Sequence, residues 1–489
     1  MTTSTTSRAR SRAPLVAALV AASYFVAALA AIFSGRIPPR ARYDQLLYHE
    51  PVIRGFLKAW PTFDFYDYLS ATTPGYHLLL ATVARLFSAS TTALQITSAV
   101  IGAALVGTVA AACMARTTAG RAVAFTAPVA CSLYVFISAA WLLPDNLAWL
   151  GVTLILLSSL RTTFSTRCAA VGSLLLVALV LTRQIHLWAA APLWAAAFLR
   201  PAHPDDLPAS TLADTIRSHF PTRLARTFTA LAFTLPAFIL IALFARLWGG
   251  LTPPRFHLQY ASINTASVPF FLAVFGVLSC FFLPTLLPRL LELTQNRRRL
   301  TLVVIATFLA AVIPPTNFDY YAGRRTGLWN VVQKLPVIAG HTSPLILVLA
   351  ILGGLALAAW LTAFDLRRRI ILLVALAGFW SAQAASVELW QRYVEPFALI
   401  LLAIFASQAA GLRTPNPDAP ARSVLFRRAE MAFPLALAVA FAALNIRSLI
   451  NAPLIADGPP GIRAADDASD TPAPTEVVVP PKAKRGLWW

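Results

Sequence analysis

Long apolar segments recur along almost the whole of this sequence and restrict the folds that it can adopt. Segments such as 14–33, 92–114 and 227–247 contain few or no charged side chains. Each is long enough to cross a hydrocarbon layer of about 30 Å as a helix, and helices satisfy the backbone hydrogen bonds that lipid cannot. The pattern therefore predicts an all-α, polytopic transmembrane protein with roughly 12 to 14 crossings.

The composition leads to the same class of protein. Of 489 residues, 58% are hydrophobic and only 12% are charged, whereas soluble domains carry about 25% charged residues. We expect a cytoplasmic N-terminal segment (1–13), one transmembrane module (14–450) and a disordered tail rich in Pro, Ala and Asp (451–489). Segment 14–33 has an Ala-x-Ala pattern typical of signal peptides, but its length favours a retained first helix.

The charged residues indicate how the chain is oriented. The formal net charge is +20, from 40 Lys and Arg against 20 Asp and Glu. The basic residues lie mostly in short loops between apolar segments, which is the positive-inside pattern of cytoplasmic loops and argues against nucleic-acid binding. Membrane lipid is the expected environment, and the Arg-rich composition favours a bacterial inner membrane. These basic loops are 115–121, 161–167, 295–299, 365–369 and 422–428.

The remaining polar segments are expected on the outer face. This assignment requires that segment 76–87 stops short of a full crossing. If it crosses, 168–181 and 186–199 must form a single crossing together, and the sequence leaves both topologies open. The outer segments contain most of the unusual polar residues, among them Asp145 and Gln184. They are 35–75, 142–146, 183–185, 248–268, 314–343 and 386–395.

The first outer segment, 35–75, is the candidate catalytic loop. Asp44 lies shortly after the first apolar segment, and His49 follows five residues later. A carboxylate near the lipid surface can act as a general base towards an attacking hydroxyl, although an ordinary solvated loop has the same composition. The spacing of His and Asp matches no zinc site, and a carboxylate-bound divalent cation stays an open alternative.

Arginines in the later outer segments are candidate phosphate ligands. Arg183 interrupts an apolar segment, where a charge is costly, so it is either functional or snorkels to the interface. Arg392 lies four residues after Glu388, which allows a structural ion pair or a guanidinium fork for a phosphate. Arg324 and Arg325 allow the same two interpretations. A carboxylate base beside several arginines suits sugar transfer from a lipid phosphate, whose leaving group needs cations but no general acid.

These residues resemble the GT-C superfamily of polyprenyl-phosphate-sugar-dependent glycosyltransferases, and within it the dolichyl-phosphate-glucose α-1,2-glucosyltransferases. The sequence departs from that family at Gln45, where the family has an acid, and at Ile185-His186, where it has Thr-Asn. A weaker match covers 321–329. The resemblance rests on Tyr43-Asp44-Gln45 with His49, on Thr72-Thr73-Pro74-Gly75-Tyr76, on Arg183-Gln184 with Trp188, and on Arg392-Tyr393 with Pro396.

The resemblance implies a GT-C-like fold and an enzyme that moves a hexose, glucose in that family, with inversion. The donor would be a polyprenyl-phosphate sugar and the acceptor a lipid-linked glycan or another envelope component, with Asp44 as the base at the outer face. No cofactor is established by the sequence, and a divalent cation stays possible. The resemblance implies that donor phosphate or substrate is bound by His49, Arg183, Gln184, Arg324, Arg325, Arg392 and Tyr393. Asp145, in the outer segment 142–146, is a further candidate ligand.

Two other classes of protein have a similar hydropathy. A multi-pass transporter or lipid flippase would show repeated halves with broken helices at matching positions, and the sequence shows no such repeat. A non-catalytic assembly protein of envelope synthesis would tolerate the loss of Asp44.

Overall fold

The chain is built almost entirely from helices. The computed structural model describes residues 3–162, 164–200, 219–257, 262–412 and 421–454. Within these ranges the β-type pairings are isolated bridges, such as that between Arg36 and Leu454, so the all-α prediction is confirmed. The predicted disordered tail lies largely outside the described residues.

The helices are numbered here in chain order. Short π- and 3₁₀-helical turns at Gln45–His49, Gln184–Ala189, Pro254–Phe256 and Gln391–Tyr393 connect some of them. The α-helices are α1 (Thr3–Phe33), α2 (Pro39–Asp44), α3 (Glu50–Lys58), α4 (Gly75–Leu86), α5 (Thr91–Met114), α6 (Ala119–Cys131), α7 (Leu133–Ala140), α8 (Asp145–Ser159), α9 (Thr166–Thr182), α10 (Ala190–Phe198), α11 (Phe220–Trp248), α12 (Ser267–Cys280), α13 (Leu283–Thr294), α14 (Arg297–Val312), α15 (Leu328–Val332), α16 (Pro344–Leu361), α17 (Leu366–Ala384), α18 (Glu395–Gly411) and α19 (Ala421–Ile450).

The protein is an integral, multi-pass membrane protein. In the described residues, six helices are long and apolar enough to cross a membrane, or up to eight if each bent pair counts as one span. The bent pairs are α6 with α7, at 68°, and α12 with α13, at 115°. This number is below the roughly 12 to 14 crossings expected from the apolar segments, because several of those segments form short helices. Among these are α4, with 12 residues, and α8, with 15.

The first helix begins before the first apolar segment. Helix α1 is continuous from Thr3 to Phe33, with Pro14 inside it, so residues 3–13 extend the helix. Its apolar half packs against α5 and α7, and the Tyr24 hydroxyl donates a hydrogen bond of 3.0 Å to the carbonyl oxygen of Val135 in α7. The helix is thus part of the transmembrane core.

Helix α18 lies at the centre of the core and separates two ends of the molecule. Its 17 residues are almost all buried, and a helix of that length spans about 25 Å. Arg392 directly precedes its N-terminus, whereas Gln408 near its C-terminus accepts a hydrogen bond of 2.9 Å from Arg116 in a basic loop. The basic loop and Arg392 are therefore at opposite ends of this helix.

Helix α8 likewise has a basic loop at one end and site residues at the other. It begins at Asp145 and ends at Ser159. The carbonyl oxygens at its C-terminus accept hydrogen bonds from Arg367, at 3.2 Å, and Arg368, at 3.1 Å, in another basic loop. Unpaired C-terminal carbonyls favour cations, so this contact stabilises the helix end. Asp145, at the other end, lies near Arg392.

Candidate active site

The centre of the candidate site is an ion pair between Asp44 and Arg392. Helix α2 begins at Pro39, a residue type that suits the first helical position, and ends at Asp44. Arg392 lies in the 3₁₀ turn before α18, and its Nη1 donates to Asp44 Oδ2. The two side chains are only 15% and 13% exposed. Residues separated by almost the whole transmembrane module therefore meet in one nearly buried contact.

The protonation state of Asp44 follows from this contact. Burial raises the pKa of the carboxyl, but the positive charge of Arg392, reinforced by that of Arg40, outweighs burial and holds the pKa below its ordinary value. Asp44 is therefore a carboxylate at neutral pH and is able to accept a proton.

The ion-pair partner of Arg392 is Asp44 and not Glu388, which was one of the two interpretations of its sequence position. Glu388, four residues earlier, pairs instead with Arg325, whose Nη2 lies 2.6 Å from Glu388 Oε1. The i,i+4 rule requires a continuous helix, and here the backbone is extended at Trp390, with φ −89° and ψ 146°. Of the two interpretations of Arg392, the ion pair with Glu388 is therefore not the one that the structure contains.

A second ion pair joins Arg183 and Asp145. Helix α9 ends at Thr182, and the extended backbone of Arg183 turns its side chain towards Asp145 at the start of α8. These side chains are 11% and 8% exposed. Tyr393 connects the two pairs, because the guanidinium of Arg183 lies 4.8 Å and that of Arg392 5.0 Å from the centre of its ring.

Arg40 is a site residue that sequence reasoning missed. It lies one helical turn before Asp44 on α2, and its guanidinium is 5.8 Å from the ring centre of Tyr134 and 5.3 Å from that of Trp390. In the part of the chain that the structure describes, no carboxylate oxygen lies within 4.0 Å of it. Its i,i+4 spacing from Asp44, after a helix-starting Pro38-Pro39, is the sequence signal that could have found it.

His49 also borders the site. Nδ1 of His49 lies 3.0 Å from Nε2 of His77, and both rings are buried. Burial lowers the pKa of His49 to about 4, so the ring is neutral at pH 7. It can share a hydrogen bond with a substrate but contributes no cation.

Gln184 positions the loops around the site. Its carboxamide nitrogen donates to the carbonyl oxygens of Ala71, at 2.7 Å, and Leu251, at 2.9 Å, while its oxygen accepts from the backbone N–H of Thr73, at 3.1 Å. Gly75 follows in the same turn, and a Cβ there would lie 2.7 Å from the carbonyl oxygen of Leu181. The Thr-Thr-Pro-Gly turn is thus closely packed against the end of α9.

Arg324 and Arg325 have different surroundings despite being adjacent. Arg325 borders the large cavity described next and lies 4.3 Å from the ring centre of Tyr320. Arg324 is directed into its own loop, where it donates to the backbone oxygen of Asn317 at 2.9 Å and to its side-chain oxygen at 3.1 Å. The structure therefore brings Arg325 to the site and holds Arg324 in a loop contact.

A cavity of about 2020 Å³ opens beside these charges. Small-molecule pockets are typically about 300–1,000 Å³, so this cavity has room for a larger ligand. Its polar end is bordered by the charged groups, and its walls continue along apolar side chains of membrane helices. Its polar end includes Arg40, Asp44, His49, Arg183, Gln184, Arg325, Arg392 and Tyr393.

Asp145 borders a separate, small cavity of about 10 Å³, together with Arg40, Asp44 and Arg392. Among the described residues, no group of three His, Cys, Asp or Glu side chains is placed to hold a metal ion. Asp44 and Asp145 are instead paired with arginines, and Glu395 accepts hydrogen bonds from Ser132 and Gln391.

The fold and the site define a multi-pass helical membrane protein with an arginine and carboxylate cluster at one end of its central helices. No protein-family model matches the sequence, and no curated protein matches it. It is similar to the crystal structure of ArnT from Cupriavidus metallidurans in the apo state, at 13% identity and a TM-score of 0.35, over 80% of this chain and 76% of that chain. The same enzyme bound to undecaprenyl phosphate gives 15% identity and a TM-score of 0.36, over 88% of each chain.

Proposed function

We propose that this protein is a membrane glycosyltransferase of the GT-C type, which moves a sugar, a hexose such as glucose, from a polyprenyl-phosphate donor to an acceptor hydroxyl. The observation that carries the proposal is the nearly buried pair of Asp44 and Arg392 at the polar end of the large apolar-walled cavity. A base and a phosphate-binding cation thereby meet where a lipid headgroup and its chain can both be accommodated.

The chemistry assigns separate roles to the two members of the pair. Asp44 takes the proton of the acceptor hydroxyl as its oxygen forms the new bond to the anomeric carbon of the sugar. The bond from that carbon to the phosphate oxygen breaks, and its electron pair leaves with the polyprenyl phosphate. Because attack occurs opposite the leaving group, the configuration is inverted. A base positioned in this way contributes about 10²–10⁴-fold to the rate.

Arginines stabilise the charge that develops on the leaving phosphate. A planar guanidinium donates two hydrogen bonds to phosphate oxygens, and Arg392 lies beside the base with its Nη2 also 3.2 Å from the hydroxyl of Tyr393. Arg183 and Arg325 border the same cavity, each held by one carboxylate. These ion pairs keep the cations in place before the donor binds, so little reorganisation is needed during the reaction.

The direct test is a transfer assay in liposomes. Purified protein is incubated with radiolabelled polyprenyl-phosphate glucose, mannose or arabinose and with a total lipid extract of the producing cells as acceptor. We expect Asp44→Asn to lower the rate at least about 100-fold, since it removes the base but keeps size and hydrogen bonding.

Asp67→Asn is the matched control. It alters a carboxylate in the same outer segment that pairs with Arg255 at 2.8 Å, in a contact that is 30% and 40% exposed. We expect it to keep near-normal transfer. Near-normal turnover by Asp44→Asn, with correct membrane insertion, would remove Asp44 from the mechanism.

A further inference from the structure

A buried hydrogen-bond network begins at Gln45, the residue that follows Asp44. Asp44 borders the large cavity, whereas the side chain of Gln45 is fully buried. Its Nε2 donates a hydrogen bond of 3.0 Å to Glu50 Oε2. Its Oε1 accepts from Gln95 Nε2, at 3.2 Å, and from the backbone N–H of Leu142, at 3.3 Å. One amide therefore joins the start of α3, helix α5 and the segment between α7 and α8.

The partners of Gln45 require an amide at this position. Glu50 Oε1 accepts hydrogen bonds from Arg54, at 2.6 and 3.0 Å, and from the hydroxyl of Thr91, at 2.6 Å. A carboxylate only accepts and a backbone N–H only donates, so residue 45 must donate to Glu50 and accept from Leu142. A neutral amide does both, whereas a carboxylate would face Glu50 with no proton between them.

A π-helical turn brings Gln45 and Glu50 together. In this turn, Gln45–His49, the backbone N–H of Glu50 donates to the carbonyl oxygen of Gln45 five residues earlier. In an α-helix the neighbours on one face are three or four residues apart, so the π-helical turn is what aligns residues separated by five. The side-chain bond between Gln45 and Glu50 thus stabilises the local geometry directly after Asp44.

The network also connects the two segments that carry the aspartates of the site. Asp44 directly precedes Gln45, and Asp145 follows Leu142 by three residues, at the start of α8. Both aspartates border the same small cavity, and each is paired with an arginine. A movement of the Gln45 amide would therefore shift Asp44 relative to Asp145 and to its own arginine.

We propose that Gln45 is a positioning residue for the base. Its neutral amide holds Asp44 in place against Arg392 and at a fixed distance from Asp145. The proposal rests on the proposed function, in which Asp44 accepts the proton of the acceptor hydroxyl. Gln45 acts through Asp44 and is not itself a catalytic residue.

The test exchanges amide and carboxylate between positions 45 and 50. Gln45→Glu keeps the size of the side chain but replaces the donor to Glu50 by a second carboxylate. Initial rates are measured in liposomes with radiolabelled polyprenyl-phosphate glucose, mannose or arabinose over a range of donor concentrations. We expect kcat to fall about 10–100-fold, because a misplaced reacting group is costly. The KM for the donor should stay within about twofold, because the arginines that bind its phosphate are unchanged.

Adding Glu50→Gln to Gln45→Glu should restore kcat to within about fivefold of the wild type. The amide at position 50 then donates to the carboxylate at position 45, and its oxygen accepts from Arg54 and Thr91, so each hydrogen bond again has a donor and an acceptor.

Gln408→Glu is the matched control. It makes the same exchange at the other end of α18, where the Gln408 side-chain oxygen accepts from Arg116 at 2.9 Å and a carboxylate can accept as well. We expect its kcat to be unchanged.

Gln45→Met serves as the test if Gln45→Glu does not fold. It removes the hydrogen bonds without adding a charge and should also lower kcat at constant KM. An unchanged kcat in the Gln45 variant, while Asp44→Asn is inactive, would overturn the proposal. So would a loss in Gln45→Glu that Glu50→Gln leaves uncorrected, or a rise of the donor KM without a change in kcat. Failure of the proposed function is distinguished from these, because it appears as unchanged transfer in Asp44→Asn.

Discussion

Breaking the Asp44–Arg392 pair should cost stability in a way that a double-mutant cycle can isolate. Arg392→Gln leaves a carboxylate that is only 15% exposed without its cation. Removing one partner of a fully buried pair costs about 3–5 kcal/mol. Because Asp44 borders a large cavity that water can enter, we expect a smaller loss of about 1–3 kcal/mol. Combining Asp44→Asn with Arg392→Gln removes the uncompensated charge, so the coupling energy should be of similar size.

The assay is equilibrium unfolding in mixed micelles, followed by tryptophan fluorescence, for the wild type, both single variants and the double variant. The pair of Asp67 and Arg255 provides a control cycle within the same chain. Its closest contact is 2.8 Å, but its side chains are 30% and 40% exposed, so its coupling energy should be only about 0.2–1 kcal/mol. A coupling energy for Asp44 and Arg392 no larger than that of the control would refute the assignment of a nearly buried pair.

The pH dependence of the coupling gives a further check. The pKa of Asp44 is below its ordinary value because Arg392 and Arg40 outweigh burial. A lowered pKa in the folded state means that the stabilisation is present above the ordinary pKa of about 3.9 and is lost as the pH falls through the lowered value. The coupling energy should therefore be the same at pH 7 and pH 5, and a loss between these values would contradict the sign of the shift.

Three further predictions concern other parts of the protein. Arg183→Lys should lower transfer about tenfold without unfolding the protein, because lysine keeps the charge but loses the planar fork, and initial rates in liposomes check this. The pKa of His49 is about 4 in the folded state and 6.5 in the unfolded state, so the free energy of unfolding should rise with pH between these values. His49→Gln should flatten this rise. An unchanged slope in unfolding titrations at several pH values would count against the prediction. Gly353→Ala should destabilise the protein by about 1–3 kcal/mol, because its Cβ would lie 1.8 Å from the carbonyl oxygen of Leu272. The control Gly55→Ala should be tolerated, because a Cβ there meets nothing within 4 Å. Thermal unfolding of both variants measures the difference.

Much of the candidate site could be anticipated from the sequence, because a polar residue is conspicuous between apolar segments. Asp44, Arg183, Arg325 and Arg392 were selected on this basis, and the structure places all of them around one cavity. Arg40 was missed because it is one of several arginines after the first apolar segment, and only the helical start at Pro39 aligns it with Asp44.

Partners and helix lengths could not be predicted in the same way. Whether Arg392 meets Glu388 or Asp44 depends on where the backbone stops being helical, and hydropathy does not report this. Fewer helices meet the length of a full span than there are apolar segments, because segments such as that of α8 form helices of only 15 residues. An apolar segment indicates burial in lipid or in protein, but it does not state which.

The sequence by itself determined the class of protein. The cost of unpaired backbone groups in lipid leaves long apolar segments no fold but helices, so a helical membrane protein follows from local composition alone. Only the tertiary structure decided which charges meet, that Gln184 holds loops together, and that Arg40 has no carboxylate beside it among the described residues. These facts depend on distances between segments far apart in the chain, because an ion pair forms only where packing brings both groups within a few ångströms.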